Sequence, residues 1–158
     1  MELFEQRLNE LLTDTFRNVL KVEERTLRDT SSPLSISEIH LLEAVGNCQE
    51  VCTIRTIANA LEITMASVTV AVTKLVHRGY LTKEKNSRDG RSVQVELTYE
   101  GKKIYRMHRL FHSKMVRAVS RGMEESEKRA LLAGIEKLDN FFREKAGGGN
   151  SSDLEAAL

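Results

Sequence analysis

Between Leu3 and Leu27 the apolar residues Phe4, Leu8, Leu11, Leu12, Phe16, Val19 and Leu20 recur every three or four positions, which predicts a long amphipathic helix. It stops before Asp29-Thr30-Ser31-Ser32-Pro33. Ser35 followed by Glu38 is a capping box, each side chain satisfying a backbone N–H at the start of a helix that runs to about Gly46. Thr53 caps a short helix through Leu61, and Thr64 caps another through His77 or Arg78, ended by Gly79 in left-handed geometry. The period then changes to two: Tyr80–Lys83 and Val93–Leu97 read as strands around a turn at 86–91. Thr98 opens a long helix to about Arg121, and Glu124 opens a last one striped with Leu131, Leu132, Ile135, Leu138, Phe141 and Phe142. Gly147 to Ser152 reads as a linker, and the remainder as a loose tail.

A chain of 158 residues with 41% apolar content suits one domain with a real core. No apolar run approaches the roughly 18 residues of a membrane span, and the start, Met1-Glu2-Leu3-Phe4-Glu5, lacks an export pattern. A cytoplasmic protein with no membrane partner is expected, its Cys48 and Cys52 reduced. The net charge of +1 conceals blocks of opposite sign: −5 over 1–52, +4 over 53–92, +7 over 102–121 and −3 over 122–158. A polyanion would meet positive potential in the middle of the chain and repulsion at both ends.

Two short helices followed by a two-stranded hairpin form a winged helix-turn-helix, whose second helix fits the major groove. On that helix Val68, Val72 and Leu75 face inward, while Ser67, Thr69, Val70, Thr73 and Lys74 face outward. Hydroxyls can bond base edges or phosphates, Val70 and the threonine methyls can touch thymine methyls, and Lys74 can reach guanine or phosphate. No carboxylate occurs between Ile63 and Lys83, as a surface against phosphates requires. At the hairpin tip, Arg88 and Arg91 are candidates for the minor groove, and Asp89 is expected to hold Arg91 extended by an ion pair.

Asp89-Gly90-Arg91 followed by Leu97-Thr98, with Leu75 and Gly79-Tyr80-Leu81 upstream, resembles the MarR family of winged-helix repressors over residues 1–145. The resemblance implies a mainly α fold: residues 1–34 as a dimerising N-terminal helix, 35–100 as the winged DNA-binding region, 101–145 as C-terminal dimerisation helices, and 146–158 as a flexible tail. It puts the DNA contacts on Ser67, Thr69, Val70, Thr73, Lys74 and Arg91. The segments 12–20, Ile39-His40 and 104–116 are further similar to the fatty-acid biosynthesis repressors of that family. This implies a long acyl chain, delivered by acyl carrier protein, as corepressor. Phe16, Leu20, His40, Met107, His108, Phe111 and His112 would then line the ligand site, and the +7 stretch would suit an acidic carrier protein.

His108 and His112 stand one helical turn apart, and with His40 they make a zinc set the second alternative, though further Glu or Cys ligands are not obvious. Lining an acyl tunnel is the preferred role for them, with no metal or other cofactor required. Release of a MarR-type repressor by a small aromatic ligand is the other alternative, and a helical scaffold that never meets DNA is a third class of reading. Redox sensing is disfavoured because Glu50 lies near the thiols and no base does. Phosphate loops, nucleophile elbows and paired catalytic carboxylates are missing from the sequence, so no enzyme is expected. The apolar stripes at both ends call for a second copy, giving a homodimer on a pseudo-palindromic duplex.

Overall fold

The element order in the computed structural model is α1 (Leu3–Asp29), α2 (Ile36–Gly46), α3 (Ile54–Leu61), α4 (Met65–His77), β1 (Leu81–Lys85), β2 (Val93–Leu97), α5 (Tyr99–Val119) and α6 (Glu125–Gly147). The structure describes residues 2–29, 33–85 and 93–147. Each helix start predicted from a polar cap is made by that cap. Ser35 Oγ accepts from the Glu38 N–H while Glu38 Oε2 accepts from the Ser35 N–H. Thr53 forms an equivalent box with Thr56, and Thr64 Oγ1 accepts from the Ser67 N–H. These bonds satisfy donors that a helix start leaves without intrahelical partners.

Two compact units divide the chain, residues 1–111 and 112–158. The core of the first is aliphatic: Ile39 and Leu42 of α2, Ile57 of α3, Val68, Val72 and Leu75 of α4, Leu81 of β1 and Val95 of β2 are all but sealed from solvent. Burying one such side chain contributes about 1.5–3 kcal/mol, so this cluster fixes the lobe. The hairpin pairs antiparallel with Leu81 opposite Leu97 and Lys85 opposite Val93. Its second strand also donates from the Val95 N–H to the Cys52 carbonyl (2.8 Å), which ties the wing root to the start of α3.

Strand β1 starts one residue later than the pattern predicts, because the Tyr80 N–H closes the end of α4 on the Leu75 carbonyl (2.9 Å). Gly79 between them has φ +80°, the conformation expected of it. Thr98 grips this corner: its N–H donates to the Tyr80 carbonyl, its hydroxyl donates to the Gly79 carbonyl (2.7 Å) and accepts from the Gly101 N–H.

Helix α5 ends at Val119, short of the expected Arg121, and Gly122 follows at φ +82°. Helix α6 extends through Gly147, where a linker was expected to begin. The apolar stripes at the two chain ends bury little within the chain. Leu3, Phe4, Leu11 and Phe16 of α1 are exposed, as are Leu131, Leu132, Ile135, Phe141 and Phe142 of α6. The turn expected at 86–91 and the residues beyond 147 lie outside the described residues.

Candidate nucleic-acid interface

Helices α3 and α4 turn through 113° across a break of three residues, within the range of a helix-turn-helix. Glu62 makes the turn, adopting φ 54°, ψ 37°, a left-handed conformation that costs a residue with a Cβ roughly 1 kcal/mol. The turn leaves α4 with one face in the core and the other in solvent. Val68, Val72 and Leu75 are sealed, while Ser67, Thr69, Val70, Thr73 and Lys74 are exposed, Val70 at 71%.

Several outward polar groups already have partners. Thr69 Oγ1 donates to the Met65 carbonyl (2.7 Å), and Ser67 Oγ lies 2.9 Å from Thr64 Oγ1. Lys83 Nζ of β1 donates to Thr73 Oγ1 over 3.5 Å. Each hydroxyl retains a lone pair for an incoming donor. Lys74 is the larger departure from the sequence reading: its Nζ sits 2.8 Å from Glu38 Oε1.

Glu38 comes from α2 and so lies outside the carboxylate-free run between Ile63 and Lys83. Its Oε1 also accepts from Arg78 Nη1 (2.9 Å), and Arg78 donates through Nη2 to the Pro33 carbonyl (2.8 Å) while lying over the Tyr80 ring. Burial pushes the Glu38 carboxyl up, but the Lys74 ammonium, the Ser35 N–H and Arg78 outweigh it and hold the pKa at about 2. Arg88, Asp89 and Arg91, with the Asp89–Arg91 ion pair assigned to them, lie outside the described residues.

A second cluster in the same unit surrounds His108 of α5, which is 5% exposed. Glu23 of α1, equally buried, places Oε1 3.7 Å from His108 Nε2, and Glu43 of α2 places Oε2 3.3 Å from Nδ1. The His40 ring lies 5.5 Å from the His108 ring, and the Phe111 ring stacks on His108 at 6.5 Å. Met107, His108 and Phe111 line a small apolar recess together with Glu23, Thr26, Leu27, Ile36 and Ile39. Of the other residues assigned to a ligand, His40 lines a neighbouring groove with Glu43 and Asn47. Leu20 is half-buried, Phe16 is 70% exposed, and His112, half-buried, opens the second unit. Glu23 and Glu43 are the carboxylates the sequence left unassigned. Glu23 is far from His108 along the chain, and only the fold pairs them.

A family model described as MarR family matches residues 32–92, which take in the helix-turn-helix and the first strand of the hairpin. The HTH-type transcriptional regulator YkoM of Bacillus subtilis is 30% identical over 77% of this chain and 82% of its own length. The chain belongs to the MarR family. Another B. subtilis HTH-type transcriptional regulator, YhjH, is 33% identical over 72% of this chain, which spans 61% of that relative. Among solved structures, Streptococcus pneumoniae FabT in complex with DNA superposes with a TM-score of 0.83 at 33% identity, covering 89% of this chain and 98% of FabT.

This MarR-family chain is a DNA-binding transcriptional regulator, of a family whose members regulate transcription rather than catalyse reactions. In MarR terms, α3 and α4 are its helix-turn-helix and β1–β2 its wing. No single helix among the described residues is long and apolar enough to cross a membrane. The two thiols of this MarR protein are free: Cys52 is buried and Cys48 half-buried. Burial, reinforced by the adjoining Cys48 side chain, pushes Cys52 up to about 12, the opposite of an activated sulfur.

Proposed function

We propose that this MarR regulator is a homodimeric repressor of fatty-acid biosynthesis genes that uses long-chain acyl-acyl carrier protein as corepressor. The observation that carries the reading is the likeness to S. pneumoniae FabT on DNA, which spans nearly all of that chain at 33% identity. Helix α4 enters the major groove, with Ser67, Thr69, Val70, Thr73 and Lys74 on the duplex. Arg88 and Arg91 carry the wing tip into the minor groove, and Asp89 orients Arg91. The exposed stripes of α1 and α6 supply apolar area for a second copy. The recess beside Met107, His108 and Phe111 takes the acyl end, and the exposed bases of α5, Lys102, Lys103, Arg106, Arg109, Lys114 and Arg117, face the acidic carrier protein. An effector of this kind acts by binding the DNA-competent state more tightly than the other.

The test is to select bound fragments from random DNA and titrate the selected operator with long-chain acyl-acyl carrier protein. A gain in operator affinity supports the corepressor; no gain rejects it. Arg91→Ala should lower operator affinity while leaving the dimer intact, and unchanged affinity removes the wing from the mechanism.

One observation favours a second reading, a zinc-responsive regulator. Glu23 Oε1 and His108 Nε2 lie 3.7 Å apart, near the roughly 3.3 Å between two ligands around tetrahedral zinc. Glu43 Oε2, 3.3 Å from Nδ1, stands where a carboxylate can orient a ligating imidazole. Zinc there would link α1 to α5 through Glu23 and His108. Metal analysis of the purified protein, with operator affinity measured across a zinc titration, separates the two readings.

A further inference from the structure

We infer that Glu38 is a built-in competitor for Lys74, a positioning residue that holds down the regulator's sequence-independent affinity for duplex DNA. The inference rests on the reading of α4 as the helix that meets DNA. A single carboxylate oxygen, Oε1, serves two cations of very different character. Arg78 is a fixed partner: its side chain is only 23% exposed, it donates to the Pro33 carbonyl as well, and it lies over Tyr80. Lys74 is a detachable one, with its side chain 63% exposed on the outward face of α4. Glu38 itself is anchored by the Ser35 N–H and is almost wholly buried, so it cannot follow Lys74 outward.

The electrostatic consequence is specific. Lys74 is the only Lys or Arg of α4, and before any duplex arrives it is already engaged by Glu38, whose one negative charge it shares with Arg78. A phosphate must displace a buried, tethered carboxylate to recruit Lys74, so a random duplex gains little from it. When Lys74 leaves, the carboxylate is not stranded, because Arg78 and the Ser35 N–H remain bonded to it. The exchange is therefore reversible and local. A chain with Lys74 alone would offer its charge to every phosphate backbone.

The experiment is a double-mutant cycle read by fluorescence anisotropy on a labelled duplex of mixed sequence. Gln at N3 still completes the capping box, so Glu38→Gln keeps the start of α2, and circular dichroism checks the fold. With Lys74 present, Glu38→Gln is expected to tighten binding by up to about five-fold, the upper worth of an exposed ion pair, and to steepen the salt dependence by about one released ion. In a Lys74→Gln background both effects should vanish. Equal changes in the two backgrounds, or no tightening when Lys74 is present, overturn the competition, because a merely structural glutamate acts without regard to Lys74. If Lys74→Gln alone alters binding to neither mixed-sequence nor selected operator DNA, the placement of α4 against the duplex fails, and the inference with it.

Discussion

Arg78 Nη1 and Glu38 Oε1 lie 2.9 Å apart, joining the end of α4 to the first turn of α2 across forty positions of sequence. Folding depresses the Glu38 pKa from 4.5 to about 2, so the ionised form contributes stability above pH 4.5 that disappears as pH falls towards 2. Glu38→Gln should thus be less stable than the parent at neutral pH by up to about 3 kcal/mol, the difference closing across that window. Urea unfolding followed by circular dichroism at stepped pH measures it; a gap that stays constant down to pH 2 would contradict the assignment.

Gly101→Ala should be among the most damaging single-methyl additions in the chain. A Cβ there would stand 2.1 Å from the Tyr80 carbonyl oxygen, a backbone atom at the corner that Thr98 grips. Relief requires moving the start of α5 away from the wing root, at a cost of at least about 2 kcal/mol. Thermal unfolding gives the answer directly, and a melting temperature equal to the parent's would show that the corner yields.

Val70→Asp separates folding from binding. The side chain is 71% exposed, so stability should change by less than about 0.5 kcal/mol. On a helix that enters a groove, the new carboxylate faces phosphates, and affinity for any duplex should fall at least about ten-fold. Gel-shift titration beside a melting curve tests both halves; retained binding would move the interface off this face of α4.

Cys52 should resist alkylation in the folded protein. With its thiol pushed up to about 12 and its side chain buried, almost none is thiolate at pH 8. Mass spectrometry after iodoacetamide should find Cys48 labelled first and Cys52 only after denaturant is added. Equal labelling in the native state would count against the burial.

The lobe was readable from the sequence because its signals are local. Ser35, Thr53, Thr64 and Thr98 cap the helices they were expected to cap, Gly79 adopts the left-handed corner, and the period-two run at Val93–Leu97 forms β2. The inward set Val68, Val72 and Leu75 follows from helical spacing alone. What the sequence hid depends on long-range encounters. No periodicity brings Glu38 to Lys74, or Glu23 and Glu43 to His108, since α1, α2 and α5 are far apart in the chain. The capping role of Glu38 was visible; its second task, on the opposite oxygen, was not. Phe16 belongs to the α1 stripe whose spacing called for a second copy, and the chain itself leaves it exposed.

The corner where Thr98 holds both Gly79 and Tyr80 and the strap from Val95 to Cys52 tie the wing root to the end of α4 and to the start of α3. On the function proposed above, an effector would move these tied elements together rather than one against another. In the proposed homodimer the span between two groove-reading heads would be the regulated quantity, so substitutions that loosen this corner should blunt DNA recognition and effector response together.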